Sequence, residues 1–478
     1  MKKTMHFLLV AVALVFGMTS CDEFKSMMDN PVSSYLELKT TSVSIVPGGT
    51  YQIEASSIST AKITYESSNP DVAIVDPSGK VTALEDGEAT ITVRIEANDN
   101  YQAGATQFQV KVQSPLTLEA KADGVINVNY VNDITLDEPI VYTIFTSEGL
   151  KKTESITGTT AIDVEKGDKV QFMSKNDHLG VFDQVNDIFR YIQIKPTVEC
   201  AVYGNVMSLI TPEGDFNTNK TIKKPYAFFD LFYDNLLSTV PDPETGKYKY
   251  AIVNHDKYKL VLPATTLSDH CYYYMFSNSG LTEAPELPAT TLAESCYSYM
   301  FRSCRNLTVA PKLPATNLAT RCYQSMFAST GITEAPELKA EDLSKSDRCY
   351  YSMFNSCAEL IKAPKLPAEK LSDYCYAYMF SGCTKLEVAP VLPASKLVNR
   401  CYYYMFRYCY KLKSLTCLAT SMESVYDTYY WLYGAGSDVE GECTFTKAAS
   451  ATWYKTAGTG DYTDGWNVTN LWTIKDAK

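Results

Sequence analysis

The chain has 478 residues, 45% of them hydrophobic, with 43 Lys+Arg against 55 Asp+Glu and a formal charge of −12. That length corresponds to roughly three domains at ~150 residues each, its composition excludes wholesale disorder, and its net acidity argues against general nucleic-acid binding. Only 4 His stand against 35 Tyr and 14 Cys, which leaves little room for histidine-based metal or triad chemistry.

Residues 1–20 read as a secretory signal: Lys2 and Lys3 precede an apolar run from Phe7 to Val15, and Met18-Thr19-Ser20 lead into Cys21. Small residues before that cysteine resemble a bacterial lipobox, which implies that Cys21 carries a lipid anchor. The apolar run is too short to span a bilayer, and no later segment is long and apolar enough either. The expected product is a soluble body held to a membrane by acyl chains. Asp22-Glu23 resembles a signal that sends lipoproteins to the outer surface, and residues 21–37 make up the lipidated cysteine and a tether.

From 38 to 114 apolar and polar residues alternate, as in Thr41–Val46, Ala61–Tyr65 and Ala89–Ile95, and Pro/Gly/Asn turns interrupt them. That period predicts short antiparallel strands in a sandwich. Tyr65-Glu-Ser-Ser-Asn69-Pro70, Val72-Ala73, Gly79-Lys-Val81-Thr82-Ala83 and Gly87-Glu-Ala89-Thr90-Ile91 resemble the bacterial immunoglobulin-like group 2 domain. Tyr65 stands where that family usually has Trp, and the resemblance implies a stalk or spacer. Residues 115–225 also read as β-rich, with Ile140–Phe145 and Lys169–Phe172 as the clearest strands, and are expected to form a β adaptor.

Internal repeats dominate the rest of the chain. Cys-Tyr-x-x-Met-Phe occurs six times, from Cys271, Cys296, Cys322, Cys349, Cys375 and Cys401, at intervals of 25, 26, 27, 26 and 26 residues. Between copies runs Ala-Pro-x-Leu-Pro-Ala, at Ala284, Ala310, Ala363 and Ala389, with a variant at Ala335. Leu292, Cys296, Met300 and Cys304 fall four apart, which predicts one face of a short helix. Each Pro keeps its own segment extended. The expected fold class is therefore multidomain: all-β immunoglobulin-like sandwiches, then a leucine-rich-repeat α/β solenoid with one short strand and one short helix per repeat over 226–417, and a C-terminal cap over 418–478.

Comparing the copies separates core from surface. Cys+1 is Tyr in all six, as a buried column would be. Cys+2 and Cys+3 vary, which predicts that Tyr273, Tyr274, Tyr299, Tyr351, Tyr378, Tyr403 and Tyr404 form an exposed aromatic stripe. This is the candidate binding surface, since Tyr supplies large contact area at low entropy cost; repeat duplication alone would also keep such residues. Glu286, Lys312, Glu337 and Lys365 alternate in sign on adjacent coils and are expected to pair along the ladder. The cysteines lie eight apart within copies, and Ser279 and Thr330 replace two of them, so buried free thiols are expected rather than zinc or disulfides. Trp431, Trp453, Trp466 and Trp472 all fall in the last 48 residues and are expected to cover the end of the array.

Tyr203-Gly204-Asn205 and Ala227-Phe-Phe-Asp-Leu231-Phe232 ahead of the repeats, with Thr416-Cys417, Trp431-Leu432, Thr444-Phe445 and Gly465-Trp466 behind them, extend the pattern to roughly 200–470. The whole resembles the BspA-type leucine-rich-repeat surface proteins, which implies an adhesin. No phosphate loop, nucleophile elbow or zinc-protease helix is found, so no enzymatic activity, cofactor or metal is expected. The expected function is a non-enzymatic cell-surface lipoprotein, anchored in the outer membrane, that binds a protein or other macromolecule through its repeats. The alternative is glycan capture for an outer-membrane polysaccharide uptake system, with a hydrolase last. Expected partners are the membrane, through the acyl anchor, and a host or bacterial surface protein or glycan, with no nucleic acid.

Overall fold

The structure is a computed structural model and describes residues 33–455, 467–469 and 471–477. The signal segment, Cys21 and Trp466 lie outside these residues. The described chain divides at Ser114 and Pro115 into two compact units.

The first unit is a β-sandwich. Ser42–Ile45, Gly104–Val112, Gly87–Ile95 and Ile63–Ser67 form one sheet in that order, and Thr50–Gln52, Lys80–Ala83 and Ala73–Val75 form the other. Period-two alternation sends Ala89, Ile91, Val93 and Ile95 inward, all buried, onto Phe108 and Val110 of the neighbouring strand. Burial of each such Val or Ile side chain contributes about 1.5–3 kcal/mol. Tyr65 packs its ring beneath Gly79, where a Cβ would fall 2.7 Å from the ring and φ is +84°. Only glycine fits that turn.

The second unit opens with two more sheets. Gly149–Ile156, Ile140–Thr146, Lys169–Ser174, Leu116–Ala120 and Cys200–Asn205 form the first, and Ile252–Asn254 and Leu260–Val261 extend it by pairing parallel to Cys200–Asn205. The second contains Thr160–Val164, Gly124–Val131, Ile188–Pro196 and Gly180–Asp183. Its Ile188–Pro196 and Gly180–Asp183 side covers the first coil of the repeat array: Leu179 N–H donates to the Ala227 carbonyl at 2.9 Å and Ile194 N–H to Leu231 at 2.8 Å. Gly180 permits this approach, since a Cβ there would lie 2.7 Å from the Tyr226 carbonyl oxygen. Ala227–Phe232 is a degenerate opening copy in register with the repeats, Phe228 N–H donating to the Cys271 carbonyl at 2.8 Å. The insertion after it closes where Ala251 N–H reaches the Asn235 carbonyl at 2.7 Å.

The leucine-rich-repeat α/β solenoid expected from the four-residue spacing is not what the chain builds. Among the described residues there is no α-helix, only 3-10 turns at Val206–Leu209 and Val425–Thr428. Each Cys-Tyr-x-x-Met-Phe copy instead runs as consecutive β-turns. In the first copy Tyr273, Met275, Ser277 and Ser279 donate to the carbonyl three residues back, at 3.0–3.2 Å. Tyr272, Tyr274, Phe276 and Asn278 donate to Cys296, Ser298, Met300 and Arg302 of the next coil, at 2.7–3.1 Å. Every fourth residue is left-handed, with φ of 56°, 55° and 58° at His270, Tyr274 and Asn278, as the third position of a type II turn requires. An α-helix spends every N–H on its own fourth preceding carbonyl. Here alternate N–H groups leave for the neighbouring coil and bind the stack together.

Two residues of every four point inward. Cys296, Tyr297, Met300 and Phe301 are each buried, and so are their counterparts in the other copies. The Tyr rings stack from Tyr272 to Tyr402 at 5.6–6.1 Å, and the Phe rings from Phe276 to Phe406 at 5.6–5.9 Å. Such pairs contribute about 0.5–1.5 kcal/mol each beyond their buried area. The second cysteine column donates S–H to the Phe carbonyl of the preceding coil, as Cys357 does to Phe327 at 2.9 Å and Cys383 to Phe354 at 3.1 Å.

The Ala-Pro-x-Leu-Pro segments form the other wall of each coil, extended but joined mostly by isolated parallel bridges such as Glu283↔Val309 and Lys362↔Val388. Proline supplies no N–H, so a full ladder cannot form there. Where proline is absent the wall becomes a regular parallel sheet of Ser414–Cys417, Cys443–Lys447 and Trp472–Asp476, to which Val388–Leu392, holding Pro390, adds at the edge with a register shift. The ladder therefore continues beyond residue 417. Among the described residues no ion pair joins Glu286 to Lys312 or Lys312 to Glu337. Coil-to-coil pairs form at other positions instead, at Lys259–Glu283, Glu359–Lys385 and Glu387–Lys413.

Candidate binding face

The seven tyrosines expected on the surface do lie on the outside of the turns, but none stands free. Tyr273, Tyr274, Tyr299, Tyr351, Tyr378, Tyr403 and Tyr404 are each half-buried, because adjacent coils approach closely enough for ring to lie on ring. Tyr274 stacks on Tyr299 at 4.5 Å and Tyr378 on Tyr404 at 5.0 Å. Burial raises the Tyr273 and Tyr378 phenols well above the ordinary range, so both stay neutral.

The stripe is also broken in two. One cluster joins Phe229, Tyr273, Tyr274 and Tyr299. The third copy then carries Gln324 and Ser325, and the Gln324 amide donates to the Tyr299 hydroxyl. The second cluster runs from Tyr351 through Tyr378, Tyr403 and Tyr404 to Tyr429 and Tyr430.

Tyr429 and Tyr430 belong to a copy that the Cys-Tyr-x-x-Met-Phe pattern misses. Asp427 lies 26 residues after Cys401, in the cysteine column, and Tyr402 N–H donates to its carbonyl at 2.9 Å. Its buried carboxylate accepts backbone N–H groups from Glu423, Ser424 and Arg400 at 2.8, 3.0 and 3.2 Å. The repeat interval alone marked the position.

Arginines complete the face. Arg348 lies over the Tyr374 ring at 4.6 Å, Arg400 over Tyr374, Tyr403 and Tyr426 at 5.4, 5.8 and 5.3 Å, and Arg407 over Tyr404 and Tyr408 at 5.0 and 4.3 Å. Arg400 also donates to the Tyr374 hydroxyl, and Arg407 to that of Tyr408 at 2.8 Å. A guanidinium placed over an aromatic ring has further N–H groups for an incoming acceptor beyond those bonded to the Tyr hydroxyls.

The proline wall carries a separate groove of about 690 Å³, lined by Ile361, Pro364, Val388, Pro390 and Val391 among others. The thirteen described cysteines are free and buried. Burial pushes their thiols up, Cys304 to about 11 and Cys322 to about 12. Cys271, beside His270, is likewise pushed up and held protonated. Among the described residues no three His, Cys, Asp or Glu side chains converge as metal ligands. Trp431, Trp453 and Trp472 are buried at the end of the array, Trp431 stacking between Tyr402 and Trp453 at 6.3 and 5.4 Å.

The first unit combines a two-sheet sandwich with the Gly79 and Gly87 turns and a core on Ile91, Val93 and Phe108. Residues 35–104 match the bacterial Ig-like domain (group 2) family. This Ig-like domain packs a half-buried Tyr65 against its core and leaves the tyrosine–arginine face entirely to the other unit. No curated protein matches the chain.

Proposed function

We infer that this chain is a non-enzymatic, lipid-anchored cell-surface protein that binds a macromolecule through the turn wall of its repeats. The observation that carries the reading is the outer aromatic wall itself. Its rings are retained at positions where small residues also fit, as Ser298, Ser325 and Ala377 demonstrate in neighbouring copies. Stacked, half-buried rings are already ordered, so a partner loses little side-chain entropy in engaging them.

The Cys-Tyr-x-x-Met-Phe and Ala-Pro-x-Leu-Pro-Ala phrases support kinship with the BspA-type surface proteins. The Ig-like domain then serves as a spacer between the anchor at Cys21 and the binding block. Three measurements test the reading. Radiolabelled fatty acid should enter the expressed protein and be lost in Cys21→Ala, and protease added to intact cells should remove the repeats. The full chain should also bind at least one member of a panel of matrix proteins, bacterial surface proteins and glycans, with affinity reduced by Tyr378→Ala plus Tyr404→Ala. Failure to bind any of them would sink the functional reading.

A further inference from the structure

Five of the chain's eight arginines, Arg302, Arg321, Arg348, Arg400 and Arg407, fall between Cys−1 and Cys+8 of the six copies, and no lysine does. The array therefore selects a planar guanidinium on this wall rather than positive charge in general. Arg321 pairs with Glu294 at 3.4 Å. Among the described residues the other four meet no carboxylate within ion-pair distance, although the chain as a whole is acidic. The Nε atoms of Arg400 and Arg407 are buried without an acceptor.

The backbone adds a second argument. Arg321, Arg348 and Arg400 occupy left-handed turn positions, with φ of 54°, 55° and 54°. Gly or Asn would sit there at roughly 1–2 kcal/mol lower cost. The whole column, His270, Ser295 and Tyr374 included, takes this conformation, and three of its six members are arginine rather than the easier Gly or Asn.

We propose that the wall from Arg348 to Arg407 binds an acidic polysaccharide. Arg348, Arg400 and Arg407 donate N–H groups to its carboxylate or sulfate groups, and the outward edges and hydroxyls of Tyr374, Tyr403 and Tyr404, whose faces are already covered by neighbouring side chains, meet its sugar hydroxyls. The inference rests on the reading of this wall as a contact surface and goes further by naming the ligand class. A protein partner is a poorer fit, because Tyr and Arg become protein hot spots where they lie in fully desolvated pockets, whereas these rings are half-exposed and carry hydroxyls among charged groups. Nucleic acid is poorer still, because single strands are held by bases stacking on open aromatic faces, and here Arg348 and Arg400 cover Tyr374 while Tyr378 and Tyr430 cover Tyr404.

The test titrates the full chain against heparin, polygalacturonate, neutral dextran, poly-glutamate and single-stranded oligo-dT. Binding to heparin alone assigns sulfate as the recognised group, and binding to polygalacturonate alone assigns carboxylate. Either result, or both, is expected, weakened about tenfold or more by Arg400→Gln plus Arg407→Gln. Lys362→Gln plus Lys365→Gln on the proline wall should leave affinity unchanged. Arg400→Lys keeps the charge but loses the fork, and should recover only part of the affinity with an unaltered melting temperature. Undiminished binding by the glutamine variants, or tighter binding to poly-glutamate or oligo-dT than to either acidic polysaccharide, overturns the inference. So does absence of binding to both polysaccharides. If another macromolecule then binds in a way that needs Tyr378 and Tyr404 but none of the arginines, the proposed function survives and this inference alone fails.

Discussion

The inner tyrosine column makes a quantitative prediction. Tyr272, Tyr297 and Tyr376 are fully buried, and their hydroxyl oxygens have no hydrogen-bond partner. Desolvating a hydroxyl without a partner costs about 1–3 kcal/mol. The ring itself is well placed, Tyr297 lying between Tyr272 and Tyr323 at 5.7 and 5.9 Å in near-parallel stacks. Tyr297→Phe keeps the ring, both stacks and the buried area while removing the oxygen. It should therefore stabilise the repeats by about 1–3 kcal/mol. Tyr297→Ala removes the ring and should destabilise by about 3–5 kcal/mol.

Tyr272→Phe and Tyr376→Phe should behave alike. Four coils separate them, roughly 19 Å at the ~4.8 Å spacing of stacked strands, so their effects should add. Guanidinium unfolding followed by far-ultraviolet dichroism gives the midpoints, and the slopes must agree for the difference to be read as stability. A destabilisation above about 1 kcal/mol in all three Phe variants at constant slope would refute the reasoning, because it would mean that the hydroxyls are bonded.

Other parts of the structure give three further expected outcomes. Ser329 lies at φ 60° in a turn column where other coils carry Gly382 and Gly434; Ser329→Gly should raise stability by about 0.5–1 kcal/mol and Ser329→Val lower it, measured by thermal melting. Burial raises the Asp230 carboxyl from the ordinary 3.8 to about 7, so its contribution is intact below pH 3.8 and is lost as pH climbs through 7. Asp230→Asn should match the parent near pH 4 and exceed it above pH 7 by on the order of 2–4 kcal/mol; a gap that stays flat across that window would contradict the assignment. The thirteen described cysteines should resist a thiol reagent in the native protein and react after denaturation, whereas rapid native labelling of any of them would mean that its coil opens.

Much of the chain is legible without its structure, and for a physical reason. Alternation in Ala89–Ile95 reports a half-buried strand because side chains in strands alternate faces. Columns that never vary, such as Tyr at Cys+1, report the interior because every copy packs against its neighbours in the same way. Columns that vary are a weaker guide. Tyr374 and Tyr378 are separable only once stacking is visible, and the proposed binding face draws on Arg348, Arg400 and Arg407, which single copies do not single out.

A helix is the wrong reading of the repeat because a period of four is shared. In an α-helix and in tandem turns with a left-handed residue at every fourth position, Leu292, Cys296, Met300 and Cys304 all fall on one side. What separates the two is where the N–H groups go, and Tyr297 N–H goes to the Cys322 carbonyl of the next coil. That choice exists only when a neighbouring coil is present to accept. Length, acidity and a tyrosine- and cysteine-rich unit repeating about every 26 residues were determined by the sequence alone. Whether the unit curls on itself or bonds to its neighbour, and which tyrosines meet which arginines, was decided by tertiary stacking, because those bonds join residues far apart in the chain.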